Sequence, residues 1–171
     1  MKVIFITGPA GAGKTTIGKL LTNQLVPCAN IEIDDIKHMN VQAFALDKQT
    51  PDGNIPYTAW DIVGQNIGLL TQNFTNNRYN VVIQGYLDSK GWKTLERIIP
   101  IQYKILLKPS LNVNIEWDSL RPAEDAMGEG IVKSHHALFE NETFYSDFTI
   151  VDTSKQSVED TVDQVLNIVN N

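Results

Sequence analysis

Gly8-Pro9-Ala10-Gly11-Ala12-Gly13-Lys14-Thr15 fits the spacing GxxxxGK[ST] and sits between two strongly patterned segments. Before it runs Val3-Ile4-Phe5-Ile6-Thr7, a β-branched and aromatic stretch with the character of a fully buried parallel strand. After it Ile17, Leu20, Leu21 and Leu25 recur at helical spacing, with Pro27 beyond the end, which predicts a helix over 14–25. Glycines at this strand-to-helix turn let successive backbone N–H groups face inward, and the helix N-terminus adds the positive end of its dipole. The loop is therefore a cradle for an anion such as phosphate, with Lys14 reaching its oxygens and Thr15 offering a hydroxyl to a divalent cation.

The rest of the chain alternates in the same way. Asn30-Ile31-Glu32-Ile33 predicts a second strand ending in Asp34-Asp35, followed by a helical segment through Phe44 and Leu46 and a loop over 47–56. Trp60, Val63, Ile67, Leu70 and Phe74 predict a core-facing helix. Strands are expected at 81–83, 103–107 and 148–151, and helices at 92–99, 110–120 with Ser110 as cap, and 131–139. Val158, Val162, Val165 and Val169 predict a last amphipathic helix. Parallel strands need crossover helices, so five strands alternating with helices predict an α/β fold, a three-layer α/β/α sandwich around a five-stranded parallel sheet. One domain over 1–171 is expected, since no linker, repeat or low-complexity tract interrupts the pattern.

Composition narrows the function classes. Against 14 Lys+Arg stand 20 Asp+Glu, a formal net charge of −6, which disfavours a basic groove for a long nucleic acid. Arginine occurs only as Arg78, Arg97 and Arg121, too few for repeated bidentate anion clamps. The single cysteine, Cys28, rules out an intrachain disulfide and a CxxC metal pair and fits a cytoplasmic location. No apolar run reaches the roughly 20 residues of a membrane span, so no membrane association is expected.

The loop, the chain length and the five-strand pattern together resemble the P-loop small-molecule kinases: gluconate and shikimate kinases, chloramphenicol phosphotransferase and the polynucleotide 5′-hydroxyl kinases. The resemblance implies a P-loop NTPase fold of the nucleoside and shikimate kinase type. It also implies ATP and Mg²⁺ as cofactors, and transfer of the γ-phosphate to a hydroxyl of a small-molecule acceptor. Gly8, Gly11, Ala12, Gly13, Lys14, Thr15 and Thr16 would hold the nucleotide phosphates, and Asp152-Thr153-Ser154 resembles the loop that meets the adenine, making Thr153 a further nucleotide contact. Asp34-Asp35 followed by Lys37 is similar to the acidic turn of the polynucleotide kinases, whose first acid accepts the substrate hydroxyl's proton; it matches Asp34. Asp35 is expected to cap the following helix. Arg121-Pro122 with Met127-Gly128-Glu129 occupies the segment that in these kinases closes over ATP, a lid at about 121–136. Lys14, Asp34 and Arg121 are thus the expected catalytic residues, with Lys133 as a second lid cation.

Gln84 ends the third strand where many P-loop proteins carry a metal-linked acid, so Mg²⁺ is expected from Thr15, with Asp34 or Asp88 in its outer shell. Gln84 and Tyr86, at the sheet's carboxyl edge, join Asp34 and Lys37 as expected substrate contacts. His135-His136 point about 100° apart on a helix and are expected to be packed or solvent-facing rather than metal ligands. Shikimate kinases hold a carboxylate with several arginines, which this chain lacks. The alternative function is an ATP-binding regulatory or toxin-like protein without small-molecule kinase activity.

Overall fold

A computed structural model describes residues 1–39, 57–123, 126–141 and 143–171. The expected helix through Phe44 and Leu46 and the loop over 47–56 lie outside the described residues. The strands are β1 (Val3–Thr7), β2 (Cys28–Glu32), β3 (Asn80–Gln84), β4 (Tyr103–Leu107) and β5 (Thr149–Val151). They form one sheet in the order β2-β3-β1-β4-β5 with every pairing parallel. The helices are α1 (Lys14–Gln24), α2 (Ile33–His38), α3 (Tyr57–Asn76), α4 (Ser89–Ile98), α5 (Leu111–Ser119), α6 (Glu129–Asn141) and α7 (Val158–Asn170).

The two-residue period of β1 feeds two cores. Val3 and Phe5 enter one with Ile33 and Ile36 of α2, Val63 and Ile67 of α3, Leu95 of α4 and Phe139 of α6; Ile4 and Ile6 enter the other with Ile17 and Leu21 of α1 and Val162, Val165 and Val169 of α7. All five β1 residues are buried, as the expected central parallel strand requires. Each fully buried Ile or Phe contributes about 1.5–3 kcal/mol, and Phe5 adds an edge-on contact to Trp92 with ring centroids 4.7 Å apart.

Details differ from the sequence reading. Strand β2 starts at Cys28 and stops at Glu32, and Ile33 already belongs to α2, so Asp34 and Asp35 lie in a first helical turn rather than on a strand end. The N-cap of α2 is Glu32, with no side-chain cap hydrogen bond, so Asp35 is not the cap. Ser110 occupies the N-cap position of α5 without a side-chain cap bond. Leu20 and Leu70 are exposed, at 37% each, because α1 buries Gly18 on β3 and α3 buries Thr71 along its seam. From β1 the chain turns to one side through α1 to reach β2; from β3 it crosses to β4 on the other side. The carboxyl end of β1 is therefore the switch point where open α/β sheets bind ligands.

Candidate phosphate-transfer site

The loop from Gly8 to Gly13 leaves β1 at this switch point. A Cβ on Gly8 would stand 2.3 Å from the Leu107 carbonyl oxygen, so only glycine lets the chain pass β4 there. Gly13 precedes α1 at φ 84°, a left-handed conformation that aims the next N–H groups into the loop. Helix α1 has no side-chain cap and no acidic residue in its first turn, so nothing of its own neutralises its positive end.

Lys14 folds across this end, donating from Nζ to the carbonyl oxygens of Gly8 at 3.0 Å and Pro9 at 2.8 Å. Burial of the ammonium inside the loop lowers its pKa to about 8; Asp34 pulls it back up and Arg121 pushes it further down. Asp34 and Arg121 are thus the charged side chains whose fields act on the Lys14 ammonium. Asp34 reaches it from the exposed first turn of α2, and Arg121 from just past the end of α5.

Thr15 donates from Oγ1 to Glu32 Oε1 at 3.0 Å. A hydroxyl and a carboxylate facing each other at the phosphate loop are oxygen donors of the kind Mg²⁺ takes, so the residues present fit that ion. Glu32 was not among the expected site residues, and no such contact joins Thr15 to Asp34. Thr16 lies in the same exposed first turn of α1. Asp88 is occupied otherwise: it caps α4, accepting from the backbone N–H of Lys90 at 3.1 Å and of Gly91 at 2.7 Å. Among the described residues no group of three or more His, Cys, Asp and Glu could hold a metal ion.

Gln84 does not stand as a substrate contact. The period of β3 places it on the α1 face with Val82, where it is 1% exposed and so close under Gly18 that a Cβ there would stand 2.5 Å from Gln84 Oε1. Neither polar atom of its carboxamide has a partner. Tyr86 and Lys37 do come together: Tyr86 packs edge-on against Trp60 at 5.7 Å and Phe139 at 6.2 Å, and Lys37 Nζ stands 5.7 Å over the Trp60 ring.

His135 was missed. One turn before Phe139 on α6, His135 is half-buried, and its pKa is lowered by burial and then by Lys14 and Lys37. His136 behaves as expected, buried with Nε2 3.0 Å from the Pro109 carbonyl oxygen. Lys133 pairs with Glu129 at 2.6 Å on an exposed surface of α6. Thr153 is 4% exposed and its hydroxyl has no partner. The loop around it is closed by Asp152, which accepts from the Ser154 N–H at 2.9 Å, and by Ser154 Oγ, which accepts from the Ser110 N–H at 2.8 Å. No described helix is long and apolar enough to cross a membrane.

No protein-family model matches the sequence, and no curated protein matches it. Solved structures do. A sugar kinase from Janibacter sp. HTCC2649 superposes with a TM-score of 0.77 at 16% identity, over 99% of this chain and 95% of that one. A gluconokinase from Sinorhizobium meliloti 1021 gives 0.67 at 17%, over 99% and 94%. A shikimate kinase from Bacteroides thetaiotaomicron gives 0.67 at 19%, over 98% and 98%. Sheet order, phosphate loop and these superpositions agree: the chain has the fold of the P-loop small-molecule kinases of the shikimate and gluconate kinase type.

Proposed function

We propose that the protein is an ATP-dependent phosphotransferase that moves the γ-phosphoryl group to a hydroxyl of a small molecule. The observation that carries this reading is the open N-terminus of α1 with Lys14 folded across it onto the Gly8 and Pro9 carbonyl oxygens, where the charges of Asp34 and Arg121 act on its ammonium. Structural likeness to sugar, gluconate and shikimate kinases supports the same reaction class.

The residues divide the work by charge. The loop N–H groups and Lys14 hold the nucleotide phosphates, and contact with phosphate oxygens offsets the burial that holds the Lys14 pKa down. Thr15 and Glu32 hold Mg²⁺, which when bound neutralises phosphate charge. Asp34 orients the acceptor hydroxyl and takes its proton as the oxygen bonds to phosphorus and the bond to ADP breaks. Arg121 stabilises charge on the transferring group. Lys37, Tyr86 and His135 flank the acceptor side, a role supported by their clustering with Trp60 and Phe139.

The acceptor is not held by an arginine clamp of the shikimate kinase kind. Arg97 donates from Nη2 to Thr94 Oγ1 at 2.9 Å on α4, and Arg78 lies past the end of α3, which leaves Arg121 at the loop. Asp34→Asn tests the proposal. It is expected to keep ATP affinity within about twofold and to lower phosphotransfer by about 10²-fold or more. Unchanged turnover in that variant would sink the role of Asp34.

A further inference from the structure

Asp118 is 2% exposed in the last turn of α5, between the phosphate loop and the Arg121 segment. Its Oδ2 accepts from the N–H groups of Met127 at 3.1 Å and Gly128 at 2.8 Å, and its Oδ1 also accepts from Met127 at 3.2 Å. The guanidinium of Arg121 stands 3.8 Å from Oδ1. On the opposite side α5 rests on the phosphate loop: a Cβ on Gly11 would lie 3.9 Å from Asp118 Cβ and 3.5 Å from Asn114 Nδ2. Asn114, one turn before Asp118 and fully buried, donates from Nδ2 to the Ala10 carbonyl oxygen at 2.5 Å.

A buried carboxylate stripped of its partners is costly, so these bonds are a constraint and not surface decoration. Four groups meet on one rigid helix turn: the Ala10–Gly11 backbone, Asn114, the Met127–Gly128 N–H pair and Arg121. Gly128 fits this closure because its φ of +85° suits glycine, and its own N–H and that of Met127 both turn toward one carboxylate.

We propose that Asp118 is a positioning residue that fixes Arg121 in register with the phosphate loop, so that the guanidinium meets the terminal phosphate of a bound nucleoside triphosphate. The inference rests on the proposed nucleotide site but not on which acceptor is used. It accounts for how a single arginine on a short connection stays near Lys14, whose ammonium already feels it.

The test compares affinities for ADP and a non-hydrolysable ATP analogue in the wild type, Asp118→Asn, Arg121→Ala and the double variant. The expected result is that each single variant loses about tenfold of the preference for the triphosphate while ADP affinity holds. The double variant should lose no more than either single one, because both remove one interaction. Additive losses, or weakening of ADP and triphosphate alike, would overturn the positioning role. Removal of a negative charge acting only through space would instead tighten both nucleotides, and that outcome overturns it too. Hydrogen exchange at the Met127 and Gly128 amides keeps the clasp testable apart from nucleotide binding: exchange should be slow in the wild type and at least tenfold faster in Asp118→Asn. Equal exchange would show that the carboxylate holds nothing. Gly128→Ala, which leaves Asp118 intact and adds a Cβ in open space at positive φ, is expected to reproduce the loss of triphosphate preference in a folded protein. An unchanged preference in that variant counts against the clasp.

Discussion

Raising the pH from 7 to 9 should weaken ATP binding about tenfold through Lys14 alone. Its ammonium is held at about 8 instead of the ordinary 10.5, with burial in the phosphate loop the main cause. At pH 7 roughly nine in ten molecules carry the charge, and at pH 9 roughly one in ten. A bound triphosphate returns the lysine to the charged form, so above pH 8 binding must first take up a proton. That costs about 1.4 kcal/mol between pH 7 and pH 9. The sign follows from the direction of the shift. The pKa is depressed in the free protein and raised in the complex, so affinity is full below about 8 and falls as pH climbs toward the complex's value. The nucleotide cannot produce this trend, since phosphate second ionisations lie near 6 and are complete at neutral pH. Calorimetric titration of ATP at pH 7, 8 and 9 in two buffers of different ionisation enthalpy reads affinity and proton uptake together. Uptake should be near zero at pH 7, about half a proton at pH 8 and close to one at pH 9. Lys14→Arg, whose guanidinium stays charged throughout, should bind with no such slope. An affinity flat from pH 7 to 9 with no proton uptake would refute the claim that the buried ammonium meets the phosphates.

Other expectations concern Glu32 and Gln84. Glu32→Gln should lower the Mg²⁺ stimulation of ATP binding several-fold while binding in a chelator stays unchanged, measured by titration with and without the cation; loss in both conditions would make Glu32 merely structural. Gln84→Met should leave activity intact and be neutral or stabilising by up to about 1 kcal/mol, because it replaces a buried carboxamide without partners; thermal melting and turnover check it, and lost turnover would restore Gln84 to the site.

What the sequence displayed best was whatever a local pattern encodes. The loop glycines, Lys14 and the alternating strands are read within a few residues of themselves, and the five-stranded parallel sheet follows from them. Contacts between distant segments were not legible. Asn114 meets Ala10 across 104 positions, and nothing in the residues beside Asp118 points to its partners at 127 and 128. Glu32 did carry a signal, a carboxylate at a strand end two places before Asp34, but the direct step from β2 into α2 turns Glu32 instead of Asp34 to Thr15. Gln84 shows how far a period of two reaches: it puts Gln84 with Val82, while which face borders the ligand depends on helices elsewhere in the chain. For His135 and His136 the helical angle separates the two rings, yet only the docking of α6 decides which of them is buried against the Pro109 carbonyl.

The most direct measurement is ADP release from Mg·ATP by the wild-type protein, with and without pooled hydroxyl compounds: sugars and sugar acids, aminoglycosides, phenicols and nucleosides. A phosphotransferase of this architecture predicts that one pool raises ADP release well above the rate with water alone, that phosphate appears on a member of that pool, and that Asp34→Asn abolishes both. Tight ATP binding with no acceptor-dependent ADP release across the pools would contradict the account.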